Sequence, residues 1–215
     1  MVVLVDMDVF SDWRRGNLGV VQELWSFYRD STSCFMPVVE CHDSKDLTSA
    51  KKMVVESNFI KRIYSLDVNF DCYKIRQFDT YEARLMMISP FVVHEIKIRK
   101  MSISSKSLKK IFKTGWVVEG ICFDECVLDL KSLNFDISPA YKIKELSFES
   151  PKLVENYCEM IPIEGLGRLI EAISATSLKD SLRKIHMGGC EIDFSTMREL
   201  TIQYGLDQVL CSWSC

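Results

Sequence analysis

Four stretches of this chain place apolar residues at the same offsets, 0, +3, +5 and +10: VHEIKIRKMSI from Val93, VEGICFDECVL from Val118, IKELSFESPKL from Ile143 and LRKIHMGGCEI from Leu182. The aligned sets are Val93/Val118/Ile143/Leu182, Ile96/Ile121/Leu146/Ile185, Ile98/Phe123/Phe148/Met187 and Ile103/Leu128/Leu153/Ile192, with Met101, Cys126, Pro151 and Cys190 at offset +8. A recurring period constrains a fold more than composition does, because each unit must bury its apolar face against its neighbours, and the pattern predicts a solenoid. The steps between unit starts are 25, 25 and 39 residues.

Helical spacing fills the intervals. Leu108, Ile111 and Phe112 follow the first stretch. Leu166, Leu169, Ile170 and Ile173 form a stripe after the third, and Met197 with Leu200 does so after the fourth. The longer step accommodates an extra or longer helix, with Pro162 at its approach and Gly165 and Gly167 near its first turn. Each unit therefore reads strand, turn, helix, strand. Residues 1–91 are less regular and are expected to form irregular N-terminal repeats or a cap, with weaker echoes at Ile63/Leu66/Val68, Met36/Val39/Cys41 and Val2/Val5/Met7. Residues 92–215 form the repeat region, in which Leu206, Val209 and Cys211 begin a last, incomplete unit. Terminal repeats need a polar cap, so an end at Cys215 inside a strand implies a truncated chain or an edge covered by another chain.

The strand segments resemble the leucine-rich repeat family, in its ribonuclease-inhibitor-like or cysteine-containing branch, whose pattern is L-x-x-L-x-L-x-x-N/C-x-L. LRKIHMGGCEI and VEGICFDECVL match all five positions once Ile, Val, Met and Phe stand for Leu, with Cys126 and Cys190 in the Asn/Cys place. IKELSFESPKL and VHEIKIRKMSI depart there, with Pro151 and Met101. The resemblance implies an α/β leucine-rich-repeat-like horseshoe, with parallel strands on the concave face and helices on the convex face.

If Ile96 and Ile98 point inward, strand alternation turns Lys97 outward. The same logic gives three outward columns: Glu95, Gly120, Glu145, Lys184; Lys97, Cys122, Ser147, His186; and Arg99, Asp124, Glu149, Gly188. Repeat proteins bind partners on such surfaces. The expected partner-binding residues are Glu95, Lys97, Arg99, Asp124, Glu145, Glu149, Lys184 and His186, in a non-enzymatic protein-interaction or structural subunit of a larger assembly that needs no cofactor and takes no small-molecule substrate.

Twenty-seven basic and thirty acidic residues leave a net charge of -3. No basic excess draws the whole surface to nucleic acid. The cluster Lys97, Arg99, Lys100, Lys106, Lys109, Lys110 and Lys113 has no interleaved aromatic platform and reads as a solvated face. No apolar run reaches the roughly 18 residues that span a bilayer. The nine cysteines, an odd number at largely apolar positions, fit buried thiols in a reducing, intracellular compartment.

Chemistry-bearing motifs are sparse. The strand VVLVDMDVF, with Asp6 and Asp8, resembles the first motif of haloacid-dehalogenase-like phosphatases, and this resemblance implies the alternative function, a Mg-dependent phosphohydrolase with Asp6 as nucleophile. Val9 stands where that pattern has glycine. Cys122 and Cys126 have ligand-like spacing but opposite facing on a strand, and a zinc site needs about four convergent ligands. His186 and Cys122 share a column two strands apart, too far for a nucleophile and its base.

Overall fold

A computed structural model describes residues 36–56, 60–70, 75–113, 118–130, 143–153, 163–175, 178–189 and 193–214. Its strands are β1 (Val38–Cys41), β2 (Ile63–Asn69), β3 (Arg76–Gln77), β4 (Val92–Arg99), β5 (Met101–Ile103), β6 (Gly120–Asp124), β7 (Val127–Leu128), β8 (Glu145–Glu149), β9 (Lys152–Leu153), β10 (Lys184–Gly188) and β11 (Leu210–Ser214). Its helices are α1 (Ser44–Glu56), α2 (Glu82–Ile88), α3 (Ser105–Lys113), α4 (Ile163–Ser174), α5 (Leu178–Ser181) and α6 (Phe194–Gln203), with two 3₁₀ turns at Phe78–Thr80 and Ser89–Phe91.

The described strands form two parallel sheets. One has seven strands in the order β1-β2-β4-β6-β8-β10-β11, and the other has four, β3-β5-β7-β9. The order follows the chain without reversal, so the crevice that a reversal opens at the carboxyl ends of strands is not formed among them. The larger sheet also runs unbroken from β2 to β4, across the 91/92 boundary expected from the sequence.

The leucine-rich-repeat horseshoe, with strands on one face and helices alone on the other, is corrected to an α/β architecture of two parallel sheets with helices. The reason lies at offsets +8 to +10. These residues do not lead directly into a helix but pair as strands with their equivalents, Ser102 with Val127, Ile103 with Leu128 and Leu128 with Leu153. Part of the layer opposite the seven-stranded sheet is therefore strand. The helices that share that layer are uneven, nine residues in α3, twelve in α4 and four in α5.

The core lies between these layers. Ile96, Ile121, Leu146 and Ile185 pair in one rung, and Ile98, Phe123, Phe148 and Met187 in the next, all at most 2% exposed. The Phe123 and Phe148 rings stack with centroids 5.4 Å apart. Leu108, Ile111, Leu166, Leu169, Ile170 and Ile173 close the core from the helices. Each of these aliphatic side chains contributes about 1.5–3 kcal/mol by leaving water. Asp43 caps α1, its Oδ1 accepting from the Lys45 and Asp46 amides at 2.7 and 2.8 Å, and Asp193 caps α6 through the Thr196 amide at 2.8 Å.

Two registers differ from expectation. At the first unit Val92, not Val93, points inward, because the ladder slips between Ile63 and Ser65. In the last unit Cys211, not Val209, pairs with Ile185. Leu206 and Val209 are buried as well, but before the strand begins.

The corner between the sheets has one device, used four times. Lys100, Glu125, Ser150 and Gly189, all at offset +7, adopt positive φ of 53°, 51°, 44° and 60°. This left-handed turn redirects the chain while the Lys100, Glu125 and Ser150 amides still donate to the neighbouring unit, to the carbonyls of Asp124, Glu149 and Gly188 at 2.7–2.9 Å. At offset +8 the buried Cys126 thiol donates to the Ile98 carbonyl at 3.2 Å.

Candidate functional site

Alternation in β4, β6, β8 and β10 turns every second side chain away from the core, onto the outward face of the seven-stranded sheet. The three columns expected from the sequence are adjacent there. Glu95 pairs with Gly120, Gly120 with Glu145 and Glu145 with Lys184; Lys97, Cys122, Ser147 and His186 form the second row; Arg99, Asp124, Glu149 and Gly188 form the third. All eight residues expected to bind a partner thus lie on one surface. The rows continue to Ser65, Asp67 and Asn69 on β2 and to Leu210 and Ser212 on β11.

One half of the face is charge-paired. The Arg99 guanidinium donates to both Asp67 carboxylate oxygens, with Nη2–Oδ2 at 2.7 Å, and its Nη1 lies 3.3 Å from Asp124. Lys97 Nζ sits 3.1 Å from the same Asp124 oxygen. The Asp67 hydrogen bonds hold the Arg99 pKa above its ordinary value. Burial alone would lower Lys97, but its hydrogen bond to Asp124 prevails and its pKa rises. Three members of the basic cluster read from the sequence are thus held by carboxylates, since Lys110 also meets Glu82 at 2.5 Å.

A second set lies across β8, β10 and β11. His186 Nε2 is 3.0 Å from Glu149 Oε1, its Nδ1 is 2.8 Å from Ser212 Oγ, and Ser147 donates to Glu149 at 3.2 Å. A hydroxyl, an imidazole and a carboxylate in series are the components of an activated nucleophile. Acyl transfer also requires free donors for the developing oxyanion, and the ladders on both sides of β10 occupy its backbone groups. The two contacts fix the imidazole by both nitrogens.

The middle strand is low. Its outward side chains are Gly120, Cys122 and Asp124, and Cys122 is only 4% exposed although it points outward. Burial pushes the Cys122 thiol up to about 11, so it is protonated and unreactive near neutral pH. A groove of about 260 Å³ opens on this face, lined by Glu95, Ile121, Glu145, Leu146, Ser147, Glu149, Lys184 and His186. Glu95, Glu145 and Lys184 form no ion pair with any described residue.

Sequence reasoning missed a fourth row at offset +1. Glu119 accepts from Lys144 at 2.6 Å and faces His94 at 3.5 Å, and these contacts hold its carboxyl below the usual range. His94 stacks on Tyr64. This row precedes the strict alternation, which is why a period-2 reading passes over it. Asp6 and Asp8 lie outside the described residues. Among those described, no helix is long and apolar enough to cross a membrane, and no three His, Cys, Asp or Glu side chains converge to hold a metal. In comparisons of the sequence, no model of a known protein family matches the chain, and no curated protein matches it.

Proposed function

We propose that this chain is a protein-binding or structural subunit of a larger assembly and that its docking surface is the outward face of the seven-stranded sheet. One observation carries the proposal. Parallel sheets occur almost only with both faces covered, yet here one face packs on the core and the other presents polar side chains with no described helix over it. Strands of the sheet hold those side chains at fixed spacing, and the Asp67–Arg99–Asp124–Lys97 network immobilises one flank. Little side-chain freedom then remains to be lost on docking. Glu95, Lys97, Arg99, Asp124, Glu145, Glu149, Lys184 and His186 supply the contacts, with no catalytic step and no cofactor in this reading.

A charge swap tests it. Glu145→Lys with Lys184→Glu keeps the net charge but inverts the pattern on the face, and Lys109→Glu with Glu171→Lys does the same on the helices. The tagged full chain and both variants are used to isolate bound chains from native extract, and a partner identified with wild type is quantified in each. Selective loss with the sheet-face swap supports the proposal. Equal retention by both variants moves the interface off this face.

A further inference from the structure

We propose that Ser212 is an acyl-accepting nucleophile with His186 as its general base, and that the pair hydrolyses short acyl esters at the β11 side of the seven-stranded sheet. This goes beyond the docking reading and does not depend on it. His186 Nε2 lies 3.0 Å from Glu149 Oε1, so the carboxylate accepts the Nε2 proton and Nδ1 is left as an acceptor. Ser212 Oγ, 2.8 Å from Nδ1, then donates to it, which is the tautomer a general base needs. Ser147 donates to Glu149 at 3.2 Å and steadies that carboxylate. Ser147, His186 and Ser212 occupy one row of β8, β10 and β11, and Glu149 stands in the next. Backbone pairing, not a loop, therefore fixes the series. The His186 side chain is 20% exposed and Ser212 is half-buried, so a substrate can reach both.

Backbone donors that β10 cannot spare are present on β11. Among the described strands β11 ends the sheet, with β10 on one side only. The Leu210 amide donates to the Arg183 carbonyl at 2.9 Å. Amides alternate sides along a strand, so the Ser212 amide also faces β10 while those of Cys211 and Trp213 face away from it. The Trp213 amide follows the nucleophile in the chain and is aimed to the side of Ser212 opposite His186. A carbonyl oxygen placed over that edge accepts from it as negative charge develops. Leu210 is 72% exposed and lies two residues before Ser212 on the same face, about 6.8 Å along the strand, where it offers an apolar rest to a short acyl chain. Oγ forms a bond to the ester carbonyl carbon as its proton passes to His186 Nδ1. The tetrahedral centre then expels the alcohol, which takes that proton. A water molecule repeats the sequence on the acyl-serine, releasing the acid and restoring Ser212.

A fluorophore-bearing alkyl fluorophosphonate tests the nucleophile, because attack by Oγ forms a P–O bond and releases fluoride. The full chain is incubated with the probe and the adduct is located by peptide mapping. Hydrolysis of p-nitrophenyl acetate and butyrate is followed by absorbance. We expect one adduct, on Ser212, and hydrolysis above the buffer rate. Ser212→Ala should abolish both, and His186→Ala should slow both at least about 100-fold, the lower end for loss of a general base. Glu149 acts only by positioning the imidazole, so Glu149→Gln should lower kcat and leave KM within about twofold. Leu210→Ser should raise KM for the butyrate more than for the acetate. Ser174→Ala, on α4, should leave labelling and hydrolysis unchanged. A wild-type chain without an adduct, an adduct on another residue, or hydrolysis that survives Ser212→Ala overturns the proposal. The adduct is mapped on the wild-type chain, so a variant that fails to fold does not remove the test.

Discussion

Four residues at one corner share a left-handed backbone but not a side chain, and substitution there should have opposite signs. At Glu125, φ is 51°, where an L-residue costs about 1–2 kcal/mol relative to its right-handed form. Glu125→Gly removes that penalty and adds about 0.5–1 kcal/mol of extra backbone entropy lost on folding. Because the Glu125 side chain is exposed, little packing is forfeited, and the net change is neutral to about 1 kcal/mol stabilising. Gly189→Ala runs the other way. It incurs the left-handed penalty of about 1–2 kcal/mol, and its Cβ would lie 2.3 Å from Ser150 Oγ and 3.3 Å from Ser150 Cβ. The serine must rotate, and the reduced freedom of the unfolded chain returns only about 0.4–1 kcal/mol. A net loss of about 1–2 kcal/mol lowers the urea midpoint by roughly 0.5–1 M if the slope is about 2 kcal/mol/M. Far-UV circular dichroism through a urea series measures both variants. Ser150→Gly in the Gly189→Ala background should recover part of the loss, since the two positions touch. A neutral Gly189→Ala together with a Glu125→Gly that loses more than 1 kcal/mol would refute the corner geometry.

Phe148→Ala should lower unfolding stability by about 3–5 kcal/mol, as for other fully buried phenylalanines, and a cycle with Phe123→Ala should show about 0.5–1.5 kcal/mol of ring–ring coupling by the same urea assay. Asp124→Asn leaves Lys97 and Arg99 with one fewer carboxylate; a loss of about 1 kcal/mol is expected, shrinking as salt rises from low to about 0.5 M because the pair is partly exposed. Alkaline stability should fall. Burial raises Cys122 to about 11 and Cys126 to about 12 from an ordinary 9.0, so the folded protein keeps thiol protons that the unfolded chain releases. The unfolded state then binds fewer protons, and stability declines as pH rises above about 9 toward 11–12. Cys122→Ala should flatten the upper part of a plot of stability against pH, and an unchanged slope would contradict the burial of that thiol.

The outward columns were legible because strand register repeats offset register. Units 25 and 39 residues apart still align Ile96, Ile121, Leu146 and Ile185, since insertions fall between strands and leave the rungs intact. The second sheet was not legible. Its strands are two or three residues long, too short for alternation to signal, and their apolar residues serve equally well as the start of a helix. Nor does sequence decide between Val92 and Val93, which are chemically identical and adjacent, when a ladder slip selects one.

The last unit shows how one register sets a site. Reading Val209 as the second apolar position places Leu210 beside His186, whereas the observed pairing of Cys211 with Ile185 brings Ser212 there. The hydroxyl that fixes the imidazole was hidden by that two-residue displacement. The run Leu210-Cys211-Ser212-Trp213-Ser214 does contain its signal, with serines alternating against Cys211 and Trp213. The buried residues Leu206 and Val209 follow α6 too closely to belong to the strand.

The shape of the outward face follows from the same rungs. In β6 the three outward side chains are glycine, cysteine and aspartate, shorter than the Glu95, Lys97 and Arg99 beside them on β4. Gly120 and Cys122 are nevertheless buried, so the longer side chains of the flanking strands cover β6 and even out the face. At one end Asp124 is already bound to Lys97 and Arg99. At the other, Gly120 separates two acids that have no partner among the described residues. The face is therefore polarised along its strands, with ion pairs concentrated at the Asp124 end and Glu95 and Glu145 outside any ion pair among the described residues at the other, so a charge change at Asp124 disturbs existing contacts while one at Glu95 or Glu145 alters only the field that a partner meets.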